Sequence, residues 1–277
     1  MDIGGRIAVV TGAGGGIGGA IVRALLDKGA QAVVATDVRL DAVEAMAASL
    51  HGDAGHGGAG GGRVFPRKLD VTDERATKAL VAEIEDTLGP IDLFFANAGV
   101  SGGGGPEQPD DVWTLQWNVN LMAHVHASRA LLPGWLARGE GHLITTASMA
   151  GILTTLGDGV YAATKHAAVG FAEWMAITYG DRGIRVSCIC PGAVDTDMLR
   201  GGSGGDAGKA TAMIGGGEVL DPGEAAARIV AAVEEDRFLI LTHPDMQTLM
   251  SRKADDTDRW IRGMKRLWAR TQELLAD

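Results

Sequence analysis

Cysteine is scarce: only Cys188 and Cys190 occur in 277 residues, two apart in one strand-like segment. At that spacing both point to one face as small core hydrophobes, which argues against a disulfide or a metal site. Basic residues are the minority charge, 25 Lys and Arg against 35 Asp and Glu, for a net charge of −10. Such a balance disfavours nucleic acid and other polyanionic partners. No run approaches the roughly 18 apolar residues of a membrane span. The start, Met1-Asp2-Ile3-Gly4-Gly5, leads straight into a strand and lacks a signal-peptide layout. Seven histidines are scattered, and neither His124/His126 nor His51/His56 has carboxylate or cysteine companions, so they read as structural and no metal is expected. These absences leave a cytoplasmic protein, long enough for one well-buried core, as the expectation.

What is abundant is glycine, with 42 residues, and its first cluster has a definite context. Thr11-Gly12-Ala13-Gly14-Gly15-Gly16-Ile17-Gly18 follows the apolar run at residues 6–10 and precedes Ile17, Ile21, Ala24 and Leu25 at helical spacing. Strand, glycine loop and helix form the setting of a dinucleotide site: backbone approaches a pyrophosphate, and the helix N-terminus offers free N–H groups. A second strand, residues 32–37, ends in Asp37, nineteen residues after Gly18. That acid is placed to accept hydrogen bonds from an adenosine ribose and to repel a 2′-phosphate, which points to NAD.

Tyr161 and Lys165 stand four apart, and Tyr161 lies thirteen residues after Ser148. Positions i and i+4 share a helix face, so the ammonium can sit beneath the phenol. At about 4 Å and an effective dielectric near 20, the charge is worth roughly 4 kcal/mol, enough to pull a phenol from about 10 towards neutrality. A tyrosine so tuned exchanges protons at physiological pH.

With these motifs the chain resembles the short-chain dehydrogenase/reductase family from about residue 6 to 241. The glycine loop matches through Gly12, Gly16 and Gly18. Asp70-Val71 matches the pair that borders the adenine. Ala96-Asn97-Ala98-Gly99 matches the element closing the fourth strand, with Ala96 where the family usually has Asn. Asn120, Ser148, Tyr161 and Lys165 match the catalytic tetrad, and residues 191–196, with Val194 and Thr196, match the segment that holds the nicotinamide carboxamide. The resemblance implies an NAD-dependent oxidoreductase interconverting a secondary alcohol and a ketone. Tyr161 would move the proton. Lys165 would tune it and bind the nicotinamide ribose, Ser148 would bond the reacting oxygen, and Asn120 would hold a relay water. It also implies a homotetramer or homodimer built through the helices containing Asn120 and Tyr161. A ketoreductase for carrier-bound 3-oxoacyl groups shares the tetrad, but Asp37 and the acidic charge disfavour it. A non-catalytic dinucleotide sensor would not need the tetrad.

Apolar runs alternate with helical periodicity throughout, predicting a single-domain α/β fold: a Rossmann-like, doubly wound parallel sheet with helices on both faces. Residues 1–244 form the dinucleotide-binding and catalytic domain, and residues 245–277 a helical extension of it. Strands are expected at 64–69, 91–96, 142–147, 184–189 and 238–241. Helices are expected at 40–50, up to 88 from a Thr72 cap, at 112–137 and at 160–179. Another runs from an Asp221 cap with Pro222 and Glu224. Glycine-rich residues 51–62 read as a flexible surface loop, and 198–217 as a mobile lid. Pocket walls at 100–105, 149–156 and 198–214 carry Met149, Ile152, Leu153, Leu156, Met198, Leu199, Met213 and Ile214. Their apolar character favours a neutral, fairly hydrophobic substrate. Trp260, Ile261, Met264, Leu267, Trp268, Thr271, Leu274 and Leu275 form a stripe on a tail helix, expected near the lid, at a subunit boundary or on its own subunit.

Overall fold

A computed structural model of the chain describes residues 1–52, 63–200 and 218–276. The glycine-rich stretch at 53–62 and most of the expected lid, 201–217, lie outside the described residues. Among the described residues, seven parallel strands form one sheet: β1 Ile7–Thr11, β2 Ala32–Asp37, β3 Arg63–Lys68, β4 Leu93–Ala96, β5 Gly141–Thr146, β6 Ile184–Cys190 and β7 Leu239–Leu241. Their order is β3-β2-β1-β4-β5-β6-β7. The chain reverses direction of travel between β1 and β4, which opens a crevice beyond the carboxyl ends of the strands.

Period-two alternation divides each strand between two cores. Ile7, Val9 and Val34 face one side, against Leu80, Val81 and Ile84 of α3 (Glu74–Thr87), Leu131 and Trp135 of α5 (Ala123–Arg138), and Ala168, Ala172 and Met175 of α6 (Gly159–Tyr179). Ala8, Val10 and Val33 face the other side, against Ile21, Val22 and Leu25 of α1 (Gly16–Asp27), Val43 of α2 (Leu40–Gly52), and Ile229, Val230 and Val233 of α8 (Pro222–Glu234), which follows the short α7 (Asp197–Arg200). Burial on both faces is why the strands read as continuous apolar runs. Cys188 and Cys190 are buried free thiols on one face of β6, in the first core.

Two local expectations need correction. The cap of α3 is Asp73, whose carboxylate accepts from the N–H groups of Arg75 and Ala76 at 2.8 and 3.1 Å; Thr72 instead donates its hydroxyl to Asp70 at 2.7 Å. The long helix expected at 112–137 is α4 (Asp110–Trp117) and α5 joined by a π-helical turn, Asn118–Met122, which holds Asn120. Such π insertions recur at functional sites. The Asp221 cap is as expected, accepting from Gly223 N–H at 2.7 Å.

After β7 the chain forms α9 (Met246–Asp255) and α10 (Thr257–Ala276). Trp260, Met264, Leu267 and Trp268 pack against the core of their own subunit, and Lys253 donates to the Ile152 carbonyl at 2.6 Å. The stripe is therefore half-covered by its own chain. Among the described residues, no helix is long and apolar enough to cross a membrane.

Candidate active site

One cleft of about 330 Å³ lies beyond the ends of β1, β2, β4, β5 and β6. Gly12, Gly16, Ile17, Gly18, Asp37, Asn97, Ser148, Tyr161, Lys165, Val194 and Thr196 all line it. Of the expected site residues, Asp70, Val71 and Asn120 do not. Asp70 is exposed, and Asn120 is fully buried one layer behind the wall.

Steric demand explains the glycine loop. Gly12 has φ +65, and a Cβ there would meet Ala98 Cα at 2.9 Å. A Cβ on Gly18 would overlap the Gly12 carbonyl oxygen and come within 2.6 Å of Asn97 Nδ2. Asn97 ties the two halves together: its Nδ2 donates to the Thr11 carbonyl at 3.0 Å, and its Oδ1 accepts from the Thr146 hydroxyl at 3.2 Å. Asp37 turns its carboxylate back to the loop, accepting from Gly14 N–H at 3.1 Å and from Arg39 N–H at 3.0 Å. The open backbone at the start of α1 and an acid at the end of β2 fit the approach of a dinucleotide.

Ser148 follows β5, where the Ala147 and Met149 N–H groups bond the carbonyls of Ile189 and Pro191, so the serine is held between two strand ends. Its oxygen accepts from Ala150 N–H at 3.0 Å. Lys165 is buried, donates to the Thr146 carbonyl at 2.8 Å, and lies 5.5 Å from the centre of the Tyr161 ring. Burial lowers its ammonium to about 8. Tyr161 is half-buried and faces the cleft; desolvation pushes its phenol up to about 12, Asp158 and Cys190 push the same way, and a hydrogen bond with Ser148 opposes them. The strong downward tuning expected from the ammonium is thus not what this arrangement displays. Lys165 is committed to a carbonyl, and desolvation dominates the phenol. Asn120 donates both side-chain N–H bonds, to the Val100 carbonyl at 2.9 Å and Thr164 Oγ1 at 3.0 Å, and accepts from Val100 N–H at 2.9 Å.

The expected apolar pocket wall also needs revision. Met149, Leu153 and Leu156 belong to the hydrophobic core, and of residues 149–156 only Thr155 lines the cleft. Met198 and Leu199 do line it, whereas Met213 and Ile214 lie outside the described residues.

Residues 6–203 match the family described as short chain dehydrogenase. The chain belongs to the short-chain dehydrogenase/reductase family. It is 35% identical over 265 residues to a 1-deoxy-11-beta-hydroxypentalenate dehydrogenase of Streptomyces exfoliatus, covering 92% of this chain and 90% of that one. A 3-oxoacyl-(acyl-carrier-protein) reductase of Vibrio harveyi is 32% identical over 231 residues, covering 83% and 90%. A short-chain dehydrogenase/reductase of Burkholderia phymatum, solved in complex with NAD, superposes with a TM-score of 0.82 at 28% identity, over 93% of this chain and 96% of that one. As a member of this family the protein is an oxidoreductase built to bind a nicotinamide dinucleotide.

This short-chain dehydrogenase/reductase carries two site residues that motif reading missed. Arg39 lines the cleft with its Nε 3.9 Å from Asp37 Oδ1, and only its position two residues past the acid hints at it. Asp158 is 2% exposed, lines the cleft, and caps α6 by accepting from Tyr161 N–H at 2.9 Å. An Asp just before a helical run was a readable capping signal.

Proposed function

We propose that the protein is an NAD-dependent dehydrogenase or reductase interconverting a secondary alcohol and a ketone. The reading rests above all on one cleft lined both by Ser148, Tyr161 and Lys165 and by glycines that leave room only for backbone. Nicotinamide dinucleotide, when bound, supplies the hydride chemistry. Gly12, Gly16, Ile17 and Gly18 would hold its pyrophosphate, Asp37 its adenosine ribose, and Val194 and Thr196 its carboxamide. Asp70 and Val71 would border the adenine, with Asn97 closing the floor. In reduction, the protonated phenol of Tyr161 gives its proton to the carbonyl oxygen; in oxidation, its phenolate removes the hydroxyl proton. Ser148, whose oxygen is already held by Ala150 N–H, directs its own proton at the reacting oxygen. Lys165 provides positive charge near the phenol and a donor for the nicotinamide ribose. Because both side-chain N–H groups of Asn120 are taken, a relay water there must rest on another of its atoms.

Cofactor choice follows from Asp37. A 2′-phosphate would face its carboxylate, a like-charge contact worth several kcal/mol in a partly buried site. Arg39, exposed and loosely paired, moderates that repulsion. Secondary alcohols assayed with both cofactors should show kcat/KM at least roughly tenfold higher with NAD, and Asp37→Ala should narrow the gap mainly by weakening NAD. Equal values, or a preference for NADP, would sink this reading of the cofactor.

A second reading, reduction of carrier-bound 3-oxoacyl groups, gains support from α10. Arg259, Arg262, Lys265, Arg266 and Arg270 are all exposed on one face of that helix, a basic surface on an otherwise acidic chain. Acidic carrier thioesters compared with pantetheine thioesters separate the readings, since only a docked carrier lowers KM. We also infer assembly into a tetramer or dimer. Leu115 and Trp117 on α4 and Trp174 and Ile177 on α6 are exposed, and Ile177 is 84% so.

A further inference from the structure

Between β4 and α4, directly after the cleft-lining Ser101, run four consecutive glycines, residues 102–105, of which Gly103 and Gly104 have φ +68 and +77. Ordering such a run loses more conformational entropy than any other residue type would, so something must hold it. Asp158 does. Its Oδ2 accepts from the Ser101 hydroxyl at 2.7 Å, Gly103 N–H at 3.0 Å and Gly102 N–H at 3.3 Å. Its Oδ1 accepts from Tyr161 N–H at 2.9 Å. Backbone bonds reinforce the join, Gly104 N–H to the Gly157 carbonyl at 2.8 Å and Gly159 N–H to the Gly104 carbonyl at 2.7 Å. Among the described residues Asp158 has no cationic partner, so its buried charge is balanced by these donors and by the N-terminus of α6.

We propose that Asp158 is a positioning residue for the reaction: its carboxylate locks the loop of Ser101 and the following glycines to the helix turn that carries Tyr161, so that the cleft-lining Ser101 and the proton donor are held as one body. Only a carboxylate serves both sides. An amide offers one acceptor and one donor, so Asn at 158 must turn an NH2 group either on Tyr161 N–H or on the loop donors. The inference rests on the reading of Tyr161 as proton donor and acceptor. Among the described residues, the titratable groups around the phenol are Lys165 on its own helix, Cys190 on β6 and Asp158 itself. Removing the Asp158 charge therefore makes the phenolate easier to form, and the rising limb of the pH profile for alcohol oxidation moves to lower pH.

Three variants of the full chain test this: Asp158→Asn, Asp158→Ser, which keeps a cap for Tyr161 N–H but cannot reach the loop, and Ser101→Ala, which removes one arm. Amide hydrogen exchange across residues 101–105 and pH profiles of kcat and KM are the readouts. In Asp158→Asn and Asp158→Ser the Gly102 and Gly103 amides should exchange at least roughly tenfold faster, with the interior of α6 unchanged. Turnover should fall roughly 10–100-fold with a smaller change in KM, and the oxidation limb should move down by ~0.5–1 pH unit. Ser101→Ala should show the same signs in weaker form. Unchanged loop exchange would overturn the inference. So would lower thermal stability with kcat and the pH profile within about a factor of two of wild type, because Asp158 would then be a helix cap and no more. Should wild type turn over no alcohol or ketone, the proposed function falls, and the exchange data alone decide the clamp.

Discussion

At the end of the cleft made by β1, β2 and β4, the walls are mostly backbone: Gly12, Gly16 and Gly18, with Asn97 binding them to the sheet. At the opposite end the walls are side chains and loop turns: Ser101, Thr155, Asp158, Met198 and Leu199. The first end is fixed by atoms that have no room to differ, the second by hydrogen bonds that several residue types could make. Under the proposed function, that contrast separates a shared cofactor from a particular substrate. A dinucleotide needs the same approach of backbone in every relative, whereas a substrate wall must change with its ligand.

The sharpest way to break the comparison is to add one methyl group to the backbone-built end. Gly18→Ala places a Cβ on the Gly12 carbonyl, so the loop must shift, and NAD affinity should fall by roughly 100-fold or more, read by calorimetry or cofactor fluorescence. Gly15→Ala is the control: its Cβ would meet nothing within 4 Å, and affinity should stay within a factor of about three. Equal effects at both positions would mean that glycine content, not steric fit, governs the loop.

A smaller effect lies beneath both ends. Burial lowers His124 to about 3 and His142 to about 4. Their folded-state pKa values lie below the unfolded value near 6.5, so the stabilisation is complete above that pH and is lost as pH falls towards the folded values. Between pH 6.5 and 4 each should contribute a slope of up to ~1.4 kcal/mol per pH unit. Denaturant titrations at several pH values should show the loss, and His124→Gln should remove about half of it. A flat profile would show that neither ring is held neutral.

The smallest effect belongs to the end of the cleft lined by Thr155. Thr154 has φ +89, an unfavourable conformation for a β-branched residue, next to the cleft-lining Thr155. Thr154→Gly should raise the unfolding temperature by about 1–2 °C while loosening substrate selectivity. A fall in unfolding temperature would place the strain elsewhere.

How much of this was readable in the chain follows the same divide. The parallel sheet with helices on both faces needed only apolar runs separated by helical periodicity, and the residues that line the cleft needed only motif spacing. Asp37, Ser148, Tyr161 and Lys165 all face the cleft, as expected. Hidden from the pattern was which apolar residues of 149–156 turn inward: Met149 and Leu153 serve the core because the segment packs on α6, a tertiary fact. Asn120 was readable as a site residue, but its side-chain bonds to Val100 and Thr164, the second spanning 44 residues, were not. Asp158 could have been seen as a cap, but its grip on a loop 55 residues earlier could not. The Lys165–Tyr161 pair was legible as a spacing, yet the balance between charge and desolvation depends on burial that sequence does not display.

The most direct measurement is turnover of a secondary alcohol with NAD by wild type and Tyr161→Phe, together with NAD affinity of both. The variant should bind NAD within a factor of about three of wild type and lose roughly 10²–10⁴-fold in kcat, because the hydroxyl moves the proton and the ring only fills space. Substantial turnover by purified Tyr161→Phe, with NAD still bound, would contradict the assignment of the chemistry to this cleft's phenol.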